Sequence, residues 1–120
     1  MAGRFPLYTD ADVHGPLVQA LVRLGWDVMR AVDAFPEGTD DDVHFAHAAQ
    51  LDRVMLSNDR DVRRLAVAWL RQGRRSRGLI AWPQDHHARM TVADFIEQFD
   101  SLAAKDDPFS YPIQFLKPKR

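Results

Sequence analysis

The chain has 120 residues, enough for one domain with a hydrophobic core and too few for two. Its 16 Lys and Arg residues nearly balance 17 Asp and Glu residues, so the global charge indicates no polyanionic partner. It contains no cysteine, which excludes thiol catalysis, disulfides and cysteine-ligated zinc. No apolar run is long enough for a signal peptide or a membrane span, so we expect a soluble, cytoplasmic single domain over residues 1–120.

The first half of the chain alternates strand and helix patterns. Residues 4–9 can form a strand, and leucines at 17, 21 and 24 recur at helical spacing until Gly25 ends the helix. A second strand is predicted around Trp26 and Val28, followed by a loop, "DAFPEGTD". A helix with an acidic start covers residues 40–50, and the apolar run at residues 53–57 is the clearest strand.

The second half continues this alternation. Residues 62–70 carry apolar side chains at i, i+3, i+4, i+7 and i+8, which predicts an amphipathic helix. "LIAW" at residues 79–82 predicts a fourth strand, and Thr91 with Asp94 resembles a capping box that opens the last helix. "YPIQFLKPKR" predicts a fifth strand and a basic tail, and the three tryptophans are predicted to lie in the core.

This order of elements predicts an α/β fold, a three-layer sandwich around a mainly parallel five-stranded sheet. Ligands of such sheets bind beyond the carboxyl ends of the strands, where the strand order reverses. If the order is 2-1-3-4-5, the first and third strands are neighbours at that point.

Acidic residues follow these strands. Asp10 and Asp12 come after the first strand, and Asp59 and Asp61 come after the third. Asp is a favoured N-cap, and acids in a first turn complement the helix dipole, so capping explains most of these residues individually. Capping does not explain Asp10 well, and it does not require two acids at both places. Taken together, the acids predict a cation site.

Carboxylate oxygens suit Mg²⁺ or Mn²⁺. Such an ion lowers the pKa of a bound water and stabilises an in-line phosphoryl displacement. A carboxylate cluster of this kind therefore favours metal-assisted hydrolysis of a phosphodiester.

Two stretches, "LYTDADV" and "GWDVMRAVDAFPEGTDDDVHFAHAAQLDRVMLSNDRDV", resemble small bacterial PIN-like proteins related to the PIN-domain ribonuclease toxins of toxin–antitoxin systems. The resemblance covers about the first two-thirds of the chain. It implies a PIN-like fold and a metal-dependent endoribonuclease acting on RNA. The implied catalytic and metal-binding residues are Asp10, Asp41, Asp59 and Asp61, with Asp42 as the neighbouring alternative to Asp41. It also implies an antitoxin protein as partner, and homodimers are common in such folds.

The chain departs from the family pattern in three places. Ala11 and Asp12 stand where related members have Glu and then Asn, and Val62 stands where they have Phe. A PIN-like interaction module without catalysis therefore remains an alternative. A phosphoacceptor receiver domain is another, with Asp59 phosphorylated and Lys117 before a proline, but it gives Asp61 no role.

Further polar residues lie near these acids. Arg63, Arg64, His14 and Asn58 are candidate RNA contacts, although a solvated helix face or turn chemistry also explains such residues. The basic set continues with Arg71, Arg74, Arg75, Arg77, Lys117, Lys119 and Arg120. His44 and His47 have a spacing that can bind metal, as does the "DHH" at residues 85–87, but packing or loop polarity explains them more simply.

Overall fold

The strands of the computed structural model form one parallel sheet. The structure describes residues 3–11, 13–36, 38–82 and 90–118. Within these, the strands are β1 (Leu7–Thr9), β2 (Val28–Arg30), β3 (Val54–Ser57), β4 (Leu79–Ala81) and β5 (Ile113–Phe115). Their order is β2-β1-β3-β4-β5, and every pair is parallel. The predicted fold class is confirmed, and β1 and β3 are neighbours.

Some predicted features lie outside the described residues. These are Asp12, the "DHH" segment at residues 85–87, and the last two basic residues, Lys119 and Arg120.

Five helices connect the strands in the described part of the chain. They are α1 (Gly15–Arg23), α2 (Ala31–Ala34), α3 (Asp41–Gln50), α4 (Arg60–Arg71) and α5 (Val92–Ala103). Four of them match the predicted helices. The exception is α2, since the start of the predicted "DAFPEGTD" loop is helical as far as Ala34. Phe35 then leaves the helix in an extended conformation, as a residue before proline prefers. One turn is too short to show a helical period in the sequence.

The sheet separates two hydrophobic cores, because side chains alternate between its faces. Leu7, Leu56 and Ile80 pack on one face with apolar residues of α1 and α5. Tyr8 and Met55 pack on the other face with residues of α3 and α4. These are the three predicted layers. The tryptophans are buried as predicted, at residues 26, 69 and 82.

The helix ends follow their sequence signals. Gly25 has a φ of 91°, a left-handed conformation that favours glycine, and its N–H donates to the carbonyl of Val22 as α1 ends. At the start of α5, the Thr91 hydroxyl accepts from the N–H of Asp94 at 3.1 Å. The Asp94 carboxylate accepts in return from the N–H of Thr91 at 3.0 Å, which confirms the capping box.

The consequence for function is the register between β1 and β3. Thr9 pairs with Leu56, so the next residues, Asp10 and Ser57, lie side by side where the two strands end. None of the helices in the described ranges is long and apolar enough to cross a membrane.

We expect Thr91→Ala to lower the free energy of unfolding by about 1 kcal/mol, because it leaves the first turn of α5 without its cap. Urea denaturation measures this change. Thr91→Ser is the matched control, since it keeps the hydroxyl. Equal stability of wild type and Thr91→Ala would contradict a capping role.

Candidate metal centre

Hydrogen bonds from both its backbone and its side chain hold Asp10 at the end of β1. Its N–H donates to the carbonyl of Leu56 at 3.2 Å, which extends the β1–β3 ladder beyond Thr9. Its carboxylate Oδ2 accepts from the hydroxyl of Ser57 at 2.8 Å. The residue is only 8% exposed, so this acid is fixed in orientation and largely removed from water. A cap on α1 would not require such burial.

Ser57 connects the acids of the two strands. Its buried hydroxyl donates to Asp10 and accepts from the N–H of Asp59 at 3.0 Å. Because both bonds use the same oxygen, the carboxylate after β1 and the backbone after β3 are held at a fixed separation. These two hydrogen bonds give Ser57 an orienting role between the two acids.

Asp59 is the N-cap of α4. Its Oδ1 accepts from the N–H of Asp61 at 2.8 Å, in the geometry that satisfies the first turn of a helix. This bond occupies one carboxylate oxygen and also fixes the direction of the other. Capping and cation binding are therefore compatible at this residue.

Asp41 is the acid that α3 contributes. It is the first residue of the helix, after Asp40, whose side chain makes no capping hydrogen bond. Its pKa is raised above the ordinary value of 3.8, first by burial and then by the negative charges of Asp59, Asp10 and Asp61. The charge of His44 acts in the opposite direction. Asp41 therefore lies in the field of the acids that follow β1 and β3.

Asp10, Asp41 and Asp59 form one group. One carboxylate oxygen of each lies within 4.8 Å of the others, at the carboxyl ends of β1 and β3 and the start of α3. An octahedral ion with oxygen ligands at about 2.1 Å holds opposite ligands about 4.2 Å apart, so the three oxygens are close to a common coordination shell. This is the candidate metal centre. It draws on three segments that are distant in sequence.

Asp61 lies outside this group. Its side chain is 72% exposed and pairs with Arg64 at 3.7 Å. Its charge still acts on Asp41, so it lies near the centre without contributing to the set of three carboxylates.

The other predicted site residues have different surroundings. His14 is an exposed residue at the N-cap position of α1 and makes no capping hydrogen bond with its side chain. Asn58 lies between Ser57 and Asp59, and its Oδ1 is buried without a hydrogen-bond partner in the described residues. Arg63 and Arg64 lie on α4, directly after the acids.

The two histidines of α3 face aromatic side chains. His44 is buried, and its Nδ1 lies 3.0 Å from the hydroxyl of Tyr8. His47 packs against the rings of Tyr8 and Phe35. Packing, which the sequence analysis gives as the simpler explanation, therefore describes both histidines.

Tyr8 was not identified from the sequence. It is fully buried, and its pKa is raised by burial and by the negative charge of Asp10. Its hydrogen bond to His44 connects β1 to α3, the helix that carries Asp41. The signal available in the sequence was the spacing, since a tyrosine two residues before Asp10 lies on the same face of an extended chain.

We expect Asp41→Asn to make the metal-free protein more stable than the wild type at neutral pH, because it removes a charge that burial and neighbouring acids disfavour. The raised pKa means that the folded state holds this proton more tightly than the unfolded state. Stability therefore falls as the pH rises from 3.8 through the raised pKa. Asp41→Asn should therefore be more stable than the wild type at pH values above the raised pKa, and this difference should vanish below pH 3.8.

Thermal unfolding in EDTA across this pH range measures the effect. The control is Asp42→Asn, which removes the same charge from an exposed neighbour outside the group and should give no such gain. Equal or lower stability of Asp41→Asn at neutral pH would contradict the electrostatic account.

Comparisons of the chain with models of protein families, with curated proteins and with solved structures found no match. The PIN-like resemblance rests on the quoted motifs and stays a prediction. The antitoxin partner and the homodimer that it implies stay predictions with it.

Proposed function

We propose that this protein is a PIN-like, metal-dependent ribonuclease that hydrolyses RNA phosphodiesters at the candidate metal centre. The observation that carries the proposal is the approach of Asp10, Asp41 and Asp59 to within 4.8 Å at the carboxyl edge of a parallel sheet. That edge is where open α/β sheets bind their ligands.

The donor set supports Mg²⁺ or Mn²⁺ as the cofactor. All three side chains offer carboxylate oxygens, which hard divalent cations prefer. Three carboxylates at this separation repel one another, and a divalent cation would relieve that repulsion. Metal binding requires the ionised form of each acid. Because the pKa of Asp41 is raised, metal binding weakens on acidification at a higher pH than it would with an ordinary carboxylate at this position.

The chemistry follows from this set of ligands. A bound divalent ion supplies an acidified water and stabilises the charge that develops on the phosphoryl group. In the hydrolysis, a water oxygen bonds to phosphorus, one P–O bond of the backbone breaks, and the leaving oxygen takes up a proton. The hydrogen bonds from Ser57 to Asp10 and from Asp61 to Asp59 hold these two carboxylates in place beforehand.

RNA is the substrate that the resemblance implies. Three of the four acids that the resemblance implies lie together in the structure, namely Asp10 after β1, Asp41 at the start of α3 and Asp59 after β3. This agreement supports a nuclease over another phosphate-ester hydrolase, and it is compatible with a toxin component.

We expect Asp10→Asn and Asp59→Asn each to weaken Mn²⁺ binding by more than about a hundredfold and to abolish cleavage of a labelled RNA. Loss of a residue that hydrogen-bonds to a metal ligand lowers metal affinity about 10- to 100-fold, so loss of a ligand itself should lower the affinity further. Ser57→Ala should fall in that lower range, because it removes the hydroxyl that orients Asp10. Calorimetric titration with Mn²⁺ measures binding, and the RNA assay is run on the same samples.

The substitutions are chosen to preserve the fold. Asn keeps an acceptor for the bonds that Asp10 and Asp59 now accept, including the cap of α4. Asp42→Asn is the matched control and should bind Mn²⁺ like the wild type. A wild-type protein that neither binds Mn²⁺ nor cleaves RNA would overturn the proposal in favour of a non-catalytic module. Labelling of Asp59 by acetyl phosphate would instead favour a receiver domain.

A further inference from the structure

The solvent-facing side of α4 carries a stripe of positive charge. Arg60, Arg63, Arg64 and Arg71, here called the arginine face, line a shallow depression together with Val67 and Ala68. They recur at helical spacing on the side away from the buried residues of the helix. At 1.5 Å per residue, the stripe is about 16 Å long.

This charge is mostly uncompensated within the protein. Arg60 and Arg64 are at i, i+4, where like charges destabilise a helix. The ion pair of Arg64 with Asp61 is exposed and 3.7 Å long, and no other ion pair involves the arginine face among the residues that the structure describes. Because the whole chain has a net charge of −1, the concentration of positive charge is local. Such a surface is complementary to an extended anion.

An aromatic ring lies against the arginine face. Phe115 is the last residue of the edge strand β5 and is 39% exposed. The guanidinium of Arg63 lies 5.0 Å from the centre of its ring, in cation–π contact. Exposed aromatic rings beside cationic grooves stack against the unpaired bases of single strands. A base that is paired within a duplex is not available for this contact. An acidic peptide would use the arginines but gain nothing specific from this ring.

The arginine face begins at the candidate metal centre. Arg60 directly follows Asp59, and the stripe leads away from it along α4. Phe115 is at the same edge, because β5 runs parallel to β3 and β4 and ends with this residue. A strand lying along the arginine face would therefore reach the carboxylate group at one end.

We propose that the arginine face binds the phosphates of a single-stranded nucleic acid and that Phe115 stacks one of its bases. The inference rests on the proposed function for the reaction that follows, but the binding itself needs no metal. It assigns the strand a direction of approach, along α4 towards Asp59.

Fluorescence anisotropy with a labelled oligouridylate in EDTA tests the phosphate contacts without cleavage. Arg60→Gln, Arg63→Gln and Arg71→Gln should each reduce the slope of log K against log salt by about 0.7, the value for one phosphate contact on a single strand. Arg23→Gln, an exposed arginine at the end of α1, is the matched control and should leave the slope unchanged. Wild-type slopes in all three variants would overturn the proposal.

A second comparison tests stacking. Phe115→Leu should weaken oligouridylate binding by about fivefold or more, whereas an abasic strand of equal length should bind both proteins equally. Equal loss for both strands would overturn the stacking role. Polyglutamate binding as tightly as oligouridylate would assign the surface to an acidic protein segment instead.

The two proposals fail separately. Loss of the proposed function would show as absent Mn²⁺ binding and absent cleavage, with metal-free strand binding retained. Failure of the arginine face would show as unchanged strand affinity in its variants, with Mn²⁺ binding retained.

Discussion

One hydroxyl group determines the arrangement of the candidate centre. Ser57 donates to the carboxylate of Asp10 and accepts from the N–H of Asp59, so a single buried oxygen joins the ends of β1 and β3. The ladder between these strands brings Asp10 and Ser57 together, and the start of α4 aims Asp59. Only the third acid, Asp41, comes from elsewhere, and the buried contact between Tyr8 and His44 holds its helix against β1.

The centre is stabilised by its surroundings and destabilised by its own charge. Burial and neighbouring carboxylates raise the pKa of Asp41, which means that the ionised group opposes folding. Beside it, α4 carries four arginines, of which only Arg64 forms an ion pair, an exposed one with Asp61, among the described residues. Both features cost stability in the isolated protein. Binding of a divalent cation would make the charge of the carboxylates favourable. Binding of a polyanion would make the charge of the arginines favourable. This division of opposite charges along one sheet edge suits a site that brings a phosphate strand to a metal.

Much of this could be predicted from the sequence, because strands and their ends leave clear signals. The apolar run before Ser57 and the acids after it were enough to place Asp10 and Asp59 at one edge. Only the resemblance favours Asp41 over Asp42, because the pattern of the sequence does not show which of two adjacent helical side chains points towards the other acids. The resemblance implies Asp61 as a ligand together with Asp59, and spacing alone does not show that its side chain is exposed and pairs with Arg64. The spacing of Tyr8 and Asp10 does not show the contact of Tyr8 with His44, which depends on tertiary packing. The four-residue helix α2 leaves no periodic pattern, since it is a single turn.

A crystal structure of the protein soaked in Mn²⁺ is the sharpest test of the candidate metal centre, because anomalous scattering locates the ion independently of any activity. We expect a Mn²⁺ ion bound by carboxylate oxygens of Asp10, Asp41 and Asp59, with the hydroxyl of Ser57 still donating to Asp10. A structure with no anomalous peak at these residues, and with their carboxylates turned apart, would contradict it.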